Sequence, residues 1–248
     1  MDPNTVPENW QDRTELLLGA EKLARLKTAS VLVVGIGGVG AVGAEMLCRA
    51  GIGKLTLVDG DRLEPTNLNR QLPALVTTLG KFKTEVVGER LKAIDPALEL
   101  QLHPVYLQDD AIDALLDSDR FDCVLDAIDT LSPKIRLARA CLERNLPLVA
   151  SMGAGARLDP EKIICADISK TFNCTLAKAY RHGLAKCGIR HGIKAVFSTE
   201  PPIRSAVREE CSGPHKKSTT GTISFMPAVF GCHCAAAVIR QLLDRPER

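Results

Sequence analysis

The sequence predicts an α/β fold, Rossmann-like and doubly wound, with a mainly parallel sheet and a C-terminal extension of mixed strands and helices. Three observations carry that expectation. The β-branched run Val31-Leu-Val-Val34 enters the glycine turn Gly35-Ile-Gly-Gly-Val-Gly40, which opens a helical pattern. A second apolar run, Lys54–Val58, ends in an acid, Asp59. Strand and helix patterns then alternate to residue 151, and such alternation places parallel strands under helices on both faces.

The elements follow in order. Residues 12–28 read as an N-terminal helical arm, with Arg13 near its start and Leu16–Leu18 as an apolar anchor. Strands are expected at 31–36, 54–59, 99–104, 122–127 and 147–151, and helices at 40–50, 81–94, 109–117 and 132–144. Ser132-Pro133 fits an N-cap followed by proline at the first helical position. Beyond Gly153-Ala-Gly155 and the turn at Asp159-Pro160, a strand is expected near Lys162–Asp167, a helix at about 174–187 and a short strand at Ala195–Ser198. Thr199 to Thr219, with Pro201-Pro202 and Pro214, reads as a mobile loop. The chain closes with a long core helix running to Leu243, entered through a proline turn.

The chain has 248 residues, is 45% hydrophobic and carries a formal net charge of +2, which suits one domain over 1–248. That domain divides into the arm, a nucleotide-binding half over 30–151 and a substrate-facing half over 152–248. Near-neutrality makes any nucleic-acid surface a local patch and not a global field. The first ten residues lack a basic and then apolar leader, and no uninterrupted apolar run looks long enough for a bilayer, so a cytoplasmic enzyme with no membrane partner is expected. Nine cysteines without C-x-x-C pairs read as reduced thiols, argue against zinc, and include Cys232 and Cys234 as core thiols.

Gly35, Gly37 and Gly40 bring backbone N–H groups and a helix N-terminus to one point, a cradle for phosphates. Asp59 lies at the spacing of a ribose partner, and at this stage NAD and ATP both remain open. Three further positions favour phosphoryl chemistry. Arg70, in Thr66-Asn-Leu-Asn-Arg70, stands where a nicotinamide would want an apolar slot. Lys83 opens a helix where its ammonium can neutralise a β- or γ-phosphate. Asp129, in Asp126-Ala-Ile-Asp129, can hold Mg²⁺ between phosphate oxygens. Arg70 or Lys83 alone is more often a solvated surface charge, and Asp129 alone reads as a cap of the following helix, but all three fall at the carboxyl ends of strands in one sheet.

These residues resemble the adenylyltransferases that activate carboxylates of ubiquitin-like and sulfur-carrier proteins, over nearly the whole chain. The similarity rests on Arg13, Gly35 to Gly40 (with Gly38), Asp59-Gly-Asp61, Asn67-Leu-Asn-Arg70-Gln, Lys83 and Asp126-Ala-Ile-Asp129. It implies that Asp59 binds ribose, that Asn67, Arg70 and Lys83 hold the triphosphate of ATP, and that Asp129 works with Mg²⁺ in adenylation. It also implies a homodimer in which Arg13 reaches the γ-phosphate of the other copy. Within that family the chain is more similar to the tRNA threonylcarbamoyladenosine dehydratases, on Asp12–Gly19, Ser151–Gly155 with Asp159-Pro160, Asp167–Thr171, Val196–Glu200 and Gly221–Phe225. The implied activity is ATP-dependent cyclisation of threonylcarbamoyladenosine next to the anticodon, through an acyl-adenylate. A monovalent cation near 151–155 and a sulfur-transfer or redox partner protein are further expectations. Some dehydratases carry a cysteine where this chain has Lys216-Lys217, so adenylation is expected without a thiol step there.

A tRNA substrate asks for basic surface, and Lys178, Arg181, Lys186, Arg190, Lys194, Arg204, Arg208, Lys216 and Lys217 outnumber Glu200, Glu209 and Glu210 in the second half. A solvated charged face explains the same excess. The rival readings are an activator of a carrier protein's C-terminal glycine, an NAD-dependent reductase and a nucleotide sensor without turnover.

Overall fold

The computed structural model describes residues 10–107, 109–209 and 218–244. Its order is α1 (Asp12–Leu18), α2 (Ala20–Thr28), β1 (Ser30–Val34), α3 (Gly40–Arg49), β2 (Lys54–Val58), α4 (Lys83–Ile94), β3 (Glu99–His103), α5 (Asp109–Ser118), β4 (Cys123–Asp126), α6 (Leu131–Glu143) and β5 (Leu148–Ser151). There follow β6 (Ile163–Asp167), α7 (Thr175–Lys186), β7 (Lys194–Ser198), β8 (Val207–Glu209), β9 (Ser218–Thr220) and α8 (Phe225–Leu243). One seven-stranded sheet has the order β3-β2-β1-β4-β5-β7-β6, parallel except where β6 runs antiparallel to β7. The expected doubly wound, mainly parallel sheet is therefore present. Chain order reverses between β1 and β4, so a ligand crevice lies outside their carboxyl ends.

The period of two along each strand sends alternate side chains to two cores. Val31, Val33, Leu55, Leu57, Cys123 and Leu125 face a core with α2, α3 and α8, while Leu32, Val34, Val58 and Val124 face one with α5, α6 and α7. Close approach of α3 and α8 depends on Gly231, where an added Cβ would stand 2.6 Å from the Val39 carbonyl oxygen. A beta carbon at Gly43 would come within 2.7 Å of Leu125.

Several sequence expectations need correction. The arm is two helices broken at Gly19, whose φ of 85° is left-handed. Of the expected apolar anchor, only Leu18 packs on the core, and Leu16 and Leu17 are 87% and 83% exposed. Helix α6 begins at Leu131, so its N-cap is Thr130 and not Ser132. Pro133 is accommodated because the first turn of a helix has N–H groups without intrahelical partners anyway. Within the stretch read as a loop, β8 and β9 pair antiparallel, a non-local pairing that so short a run does not announce. Cys232 is exposed while Cys234 is buried, because side chains two apart on a helix point to opposite sides. Helix α8 does have the length and composition to cross a bilayer, yet it packs on α3 and the sheet with half of that span buried.

The loop after β4 is held from below by a buried ion pair. Asp126 and Lys134 are both fully buried, with Lys134 Nζ 3.0 Å from Asp126 Oδ2. The same ammonium donates to the Ile128 carbonyl at 3.0 Å, and Asp126 Oδ1 accepts the Ile128 N–H at 3.0 Å. Burial drives the Asp126 carboxyl above its ordinary pKa, and the Lys134 charge and hydrogen bond pull against that. Lys134→Met strands the carboxylate and should cost about 3–5 kcal/mol in urea unfolding, whereas Lys134→Met with Asp126→Leu should recover more than half of it. Equal losses in the single and double variants would show that the pair is not what holds this loop.

Candidate active site

The cradle is built where the loop after β1 meets the loop after β4. Gly35 has φ 88°, and a Cβ on it would lie 2.8 Å from the Ala127 carbonyl. At Gly40 the crowding is greater, with a beta carbon 1.7 Å from the Gly35 oxygen. Only glycine lets the chain turn this tightly from strand into helix. Above Gly37 the nearest group is the Gln71 side-chain nitrogen, 3.8 Å from an added Cβ, so the loop is open on the ligand side. Gly38 is instead closed by Pro227 of α8 at 2.9 Å and by the Arg70 carbonyl at 3.1 Å. No side-chain hydrogen bond caps α3, whose Ala41 N–H donates to the Gly37 carbonyl at 3.0 Å, and the positive end of its dipole meets the glycine loop.

Asp59 follows β2 and turns back on the cradle. Its Oδ2 accepts the Ile36 N–H at 2.6 Å and its Oδ1 the Asp61 N–H at 2.7 Å. Burial raises the Asp59 pKa, against the lowering effects of Lys83 and the two N–H groups. Lys83, buried at the first position of α4, pairs with Asp61 Oδ2 at 2.6 Å, and the Tyr106 hydroxyl donates to Asp61 Oδ1 at 2.6 Å. Arg70 donates to the Thr66 carbonyl at 2.7 Å and to Asn69 Oδ1 at 2.8 Å. Buried Asn67 spends its Oδ1 on the Glu64 N–H at 3.1 Å, closing the short 3₁₀ turn Pro65–Asn67. Asp129 is exposed at the end of the loop after β4 and accepts from the Thr130 hydroxyl at 3.3 Å.

The glycines, Asp59, Asp61 and Lys83 are thus joined by direct contacts, and Asp129 lies on the loop against which Gly35 packs. Arg13 is exposed on α1, and among the described residues no hydrogen bond or ion pair joins it to this cluster. Sequence reasoning missed three groups. Lys134 shares a helical face with Leu137, Ala138 and Cys141, and a lysine on an apolar stripe was the available signal. Tyr106, beyond β3, gave no local signal. Arg157 is buried and donates to the carbonyls of Gly153 at 3.1 Å and Gly155 at 2.8 Å, and also to that of Asn173.

The expected basic surface is partly committed. Arg181 donates to the Thr171 carbonyl at 2.8 Å, while Lys178, His182 and Lys186 line one exposed face of α7 at four-residue spacing. Arg190, Lys194, Arg204 and Arg208 are exposed. Glu210, Lys216 and Lys217 lie outside the described residues.

Comparison with known proteins gives the same picture along the chain. The sequence pattern of the ThiF family matches residues 12–248. The tRNA threonylcarbamoyladenosine dehydratase of Bacillus subtilis is 39% identical over 238 residues, 93% of each chain, and that of Haemophilus influenzae is 37% identical over 235 residues, 91% of this chain and 90% of its own. The crystal structure of the Escherichia coli tRNA N6-threonylcarbamoyladenosine dehydratase in complex with ATP superimposes with a TM-score of 0.86 at 32% identity, covering 97% of both chains.

The Asp61 contacts have a titration signature. The hydrogen bond to Asp61, with some burial and the charges of Asp61, Asp59 and Glu64, pushes the Tyr106 pKa up to about 12. Burial raises that of Tyr180, the other tyrosine, well above its ordinary value. Because the folded state favours the neutral phenol, the stability from the Tyr106 contact is complete below about pH 10 and lost as pH rises through about 12. Near-ultraviolet absorbance should show little tyrosinate at about pH 11, and Asp61→Asn should bring one tyrosine back toward about 10. Wild-type ionisation of a tyrosine at about 10 with the fold intact would contradict the contact.

Proposed function

The chain belongs to the ThiF family, and on that premise we propose that it is an ATP-dependent dehydratase of threonylcarbamoyladenosine in tRNA. The observation that carries the reading is the junction of a glycine cradle, a ribose-type carboxylate and the Lys83 ammonium at the switch point of the sheet. A threonyl carboxylate oxygen attacks the α-phosphorus of ATP, the bond to the bridging oxygen breaks, and pyrophosphate leaves. In the second step the carbamoyl oxygen attacks the acyl carbon and the carbamoyl nitrogen gives up its proton. AMP departs with the former carboxylate oxygen, so the nucleoside has lost the elements of water and closed a ring.

The roles we assign are positional and electrostatic. Gly37 leaves the loop open to the phosphates, Gly35, Gly38 and Gly40 allow the tight turn and close packing that aim its backbone N–H groups there, and the carboxylate of Asp59, fixed by two N–H bonds, receives the ribose hydroxyls. Lys83 waits on Asp61 and transfers its hydrogen bonds to the triphosphate, joined by Arg70 and by Asn67. Arg13 is supplied by a second copy of the chain in a homodimer. Asp129, an exposed carboxylate at the end of the loop after β4, would hold Mg²⁺ arriving with ATP. Bound magnesium would supply charge neutralisation on the phosphates. The carbonyls of Gly153 and Gly155, in the segment expected near a monovalent cation, each accept one hydrogen bond from Arg157.

The exposed basic residues of α7 and of 190–208 serve as the tRNA surface, and the enzyme works in the cytoplasm with its substrate. Activation of a carrier protein's C-terminal glycine, the rival within the family, is not favoured: the dehydratases are 37–39% identical over at least 90% of both chains, whereas the adenylyltransferase and sulfurtransferase MOCS3-2 of Zea mays is 29% identical over 90% of this chain and 39% of its own.

Mass analysis of threonylcarbamoyladenosine in tRNA incubated with protein, ATP and Mg²⁺ should show loss of one water. Asp129→Ala should reduce turnover by about 10²-fold or more with an unchanged circular dichroism spectrum. Pyrophosphate release that appears only with a small protein ending in Gly-Gly would instead favour carrier activation.

A further inference from the structure

A cavity of about 390 Å³ adjoins the nucleotide residues without including the cradle, Asp59 or Lys83. Its volume lies within the roughly 300–1,000 Å³ typical of small-molecule sites. Asn69, Arg157, Ile203, Ala206, Thr222 and Ile223 are among the residues that line it. We propose that this cavity is the acceptor pocket, receiving the carboxylate-bearing purine nucleoside turned out of the anticodon loop; the inference rests on the dehydratase reading.

Its position follows from two independent contacts. Asn69 accepts from Arg70 on one side and donates to the Thr222 carbonyl at 2.9 Å on the other, so it is a shared wall between triphosphate residues and cavity. Ile223 and Ser224 lead directly into α8, whose Pro227 closes on Gly38 of the cradle. A substrate in the cavity therefore has its reactive end beside bound nucleotide.

The pocket is formed before any ligand enters. Ala156 sits at φ 58°, a left-handed conformation unusual for a residue with a side chain. It is held by its N–H to the Gly221 carbonyl at 2.8 Å and by the Ile203 N–H to its own carbonyl at 2.9 Å. The Gly221 N–H closes the ring on Ala206 at 2.7 Å.

The lining matches a charged nucleoside and not a glycine tail. Ile203 and Ile223 offer exposed apolar surface for a base face. Arg157 brings a buried guanidinium with no carboxylate partner among the described residues, a charge that an anionic ligand would compensate. Exposed Arg204 lies within the Ile203–Ala206 edge and exposed Arg208 two residues beyond it, where they can meet the phosphates of a splayed loop. A Gly-Gly tail shares the carboxylate but has no aromatic base and no flanking phosphates.

Ala206→Trp and Ile203→Trp fill the cavity from its edge. Each should raise KM for modified tRNA about tenfold or more while the Kd for ATP moves less than about twofold. As a measurement free of substitution, isoleucine methyl spectra of the wild-type chain with a nonhydrolysable ATP analogue should show shifts at Ile203 and Ile223. These should appear on adding an anticodon stem-loop that carries threonylcarbamoyladenosine, and not with one carrying plain adenosine. Unchanged KM in both folded variants, loss of ATP affinity equal to loss of tRNA affinity, or stem-loop binding that leaves both methyls unmoved would each overturn the pocket. Failure of the wild-type chain to remove water from any modified tRNA would overturn the dehydratase reading itself.

Discussion

The buried pair of Asp126 and Lys134 is the constraint on which the rest of the site depends. A lysine with no exposed surface is tolerated because its ammonium meets one carboxylate and the Ile128 carbonyl, while the carboxylate also takes an N–H. Those bonds fix the course of residues 126–128, and Ala127 within that stretch is the surface against which Gly35 closes. Gly40 closes in turn on Gly35. The cradle is thus only as well placed as the loop after β4, and the loop is placed by a charge pair beneath it. Such a pair contributes little net stability compared with apolar packing, but its directional bonds admit one loop conformation where apolar contacts would admit several.

Charge at the resting site is already balanced. Lys83 is matched by Asp61, Asp61 also accepts from Tyr106, and Asp59 is matched by two backbone N–H groups. On the role proposed for Lys83, a polyphosphate entering this cluster would compete with Asp61 for its ammonium, and part of the Coulomb attraction would be offset by the ion pair broken. The benefit is preorganisation. Lys83 does not have to be ordered from a solvated ensemble, because its side chain is buried in the resting state.

The parts legible in the sequence were those with a local cause. Val31–Val34 and Gly35–Gly40 mark a strand and its turn by residue type alone, and the alternation of apolar runs with helical stripes gave the layered sheet. Gly19, Ser132 and the pair β8–β9 were misread for reasons that differ. At Gly19 a left-handed φ breaks an otherwise continuous amphipathic pattern, and at Ser132 two neighbouring residues, Thr130 and Ser132, satisfy the same capping preference. The strands β8 and β9 are three residues each, and their stability comes from each other. Tyr106 and the Asn69 cavity are assembled from segments far apart in the chain, so no window of sequence contains them.

The arm poses a different problem of physical chemistry. Arg13, Leu16 and Leu17 stand at positions i, i+3 and i+4 of α1 and therefore share one helical face, with both leucines almost fully exposed. Side chains of that size left in water forfeit about 1.5–3 kcal/mol each relative to full burial. The proposed homodimer accounts for the face economically: covering the leucines with a second copy necessarily carries Arg13 into the same interface. In the proposed homodimer a guanidinium held at that boundary would act on the neighbouring copy's triphosphate, since among the described residues no hydrogen bond or ion pair joins Arg13 to the cradle cluster. In that proposed dimer the leucines would determine where the arm docks, and Arg13 would act because they do.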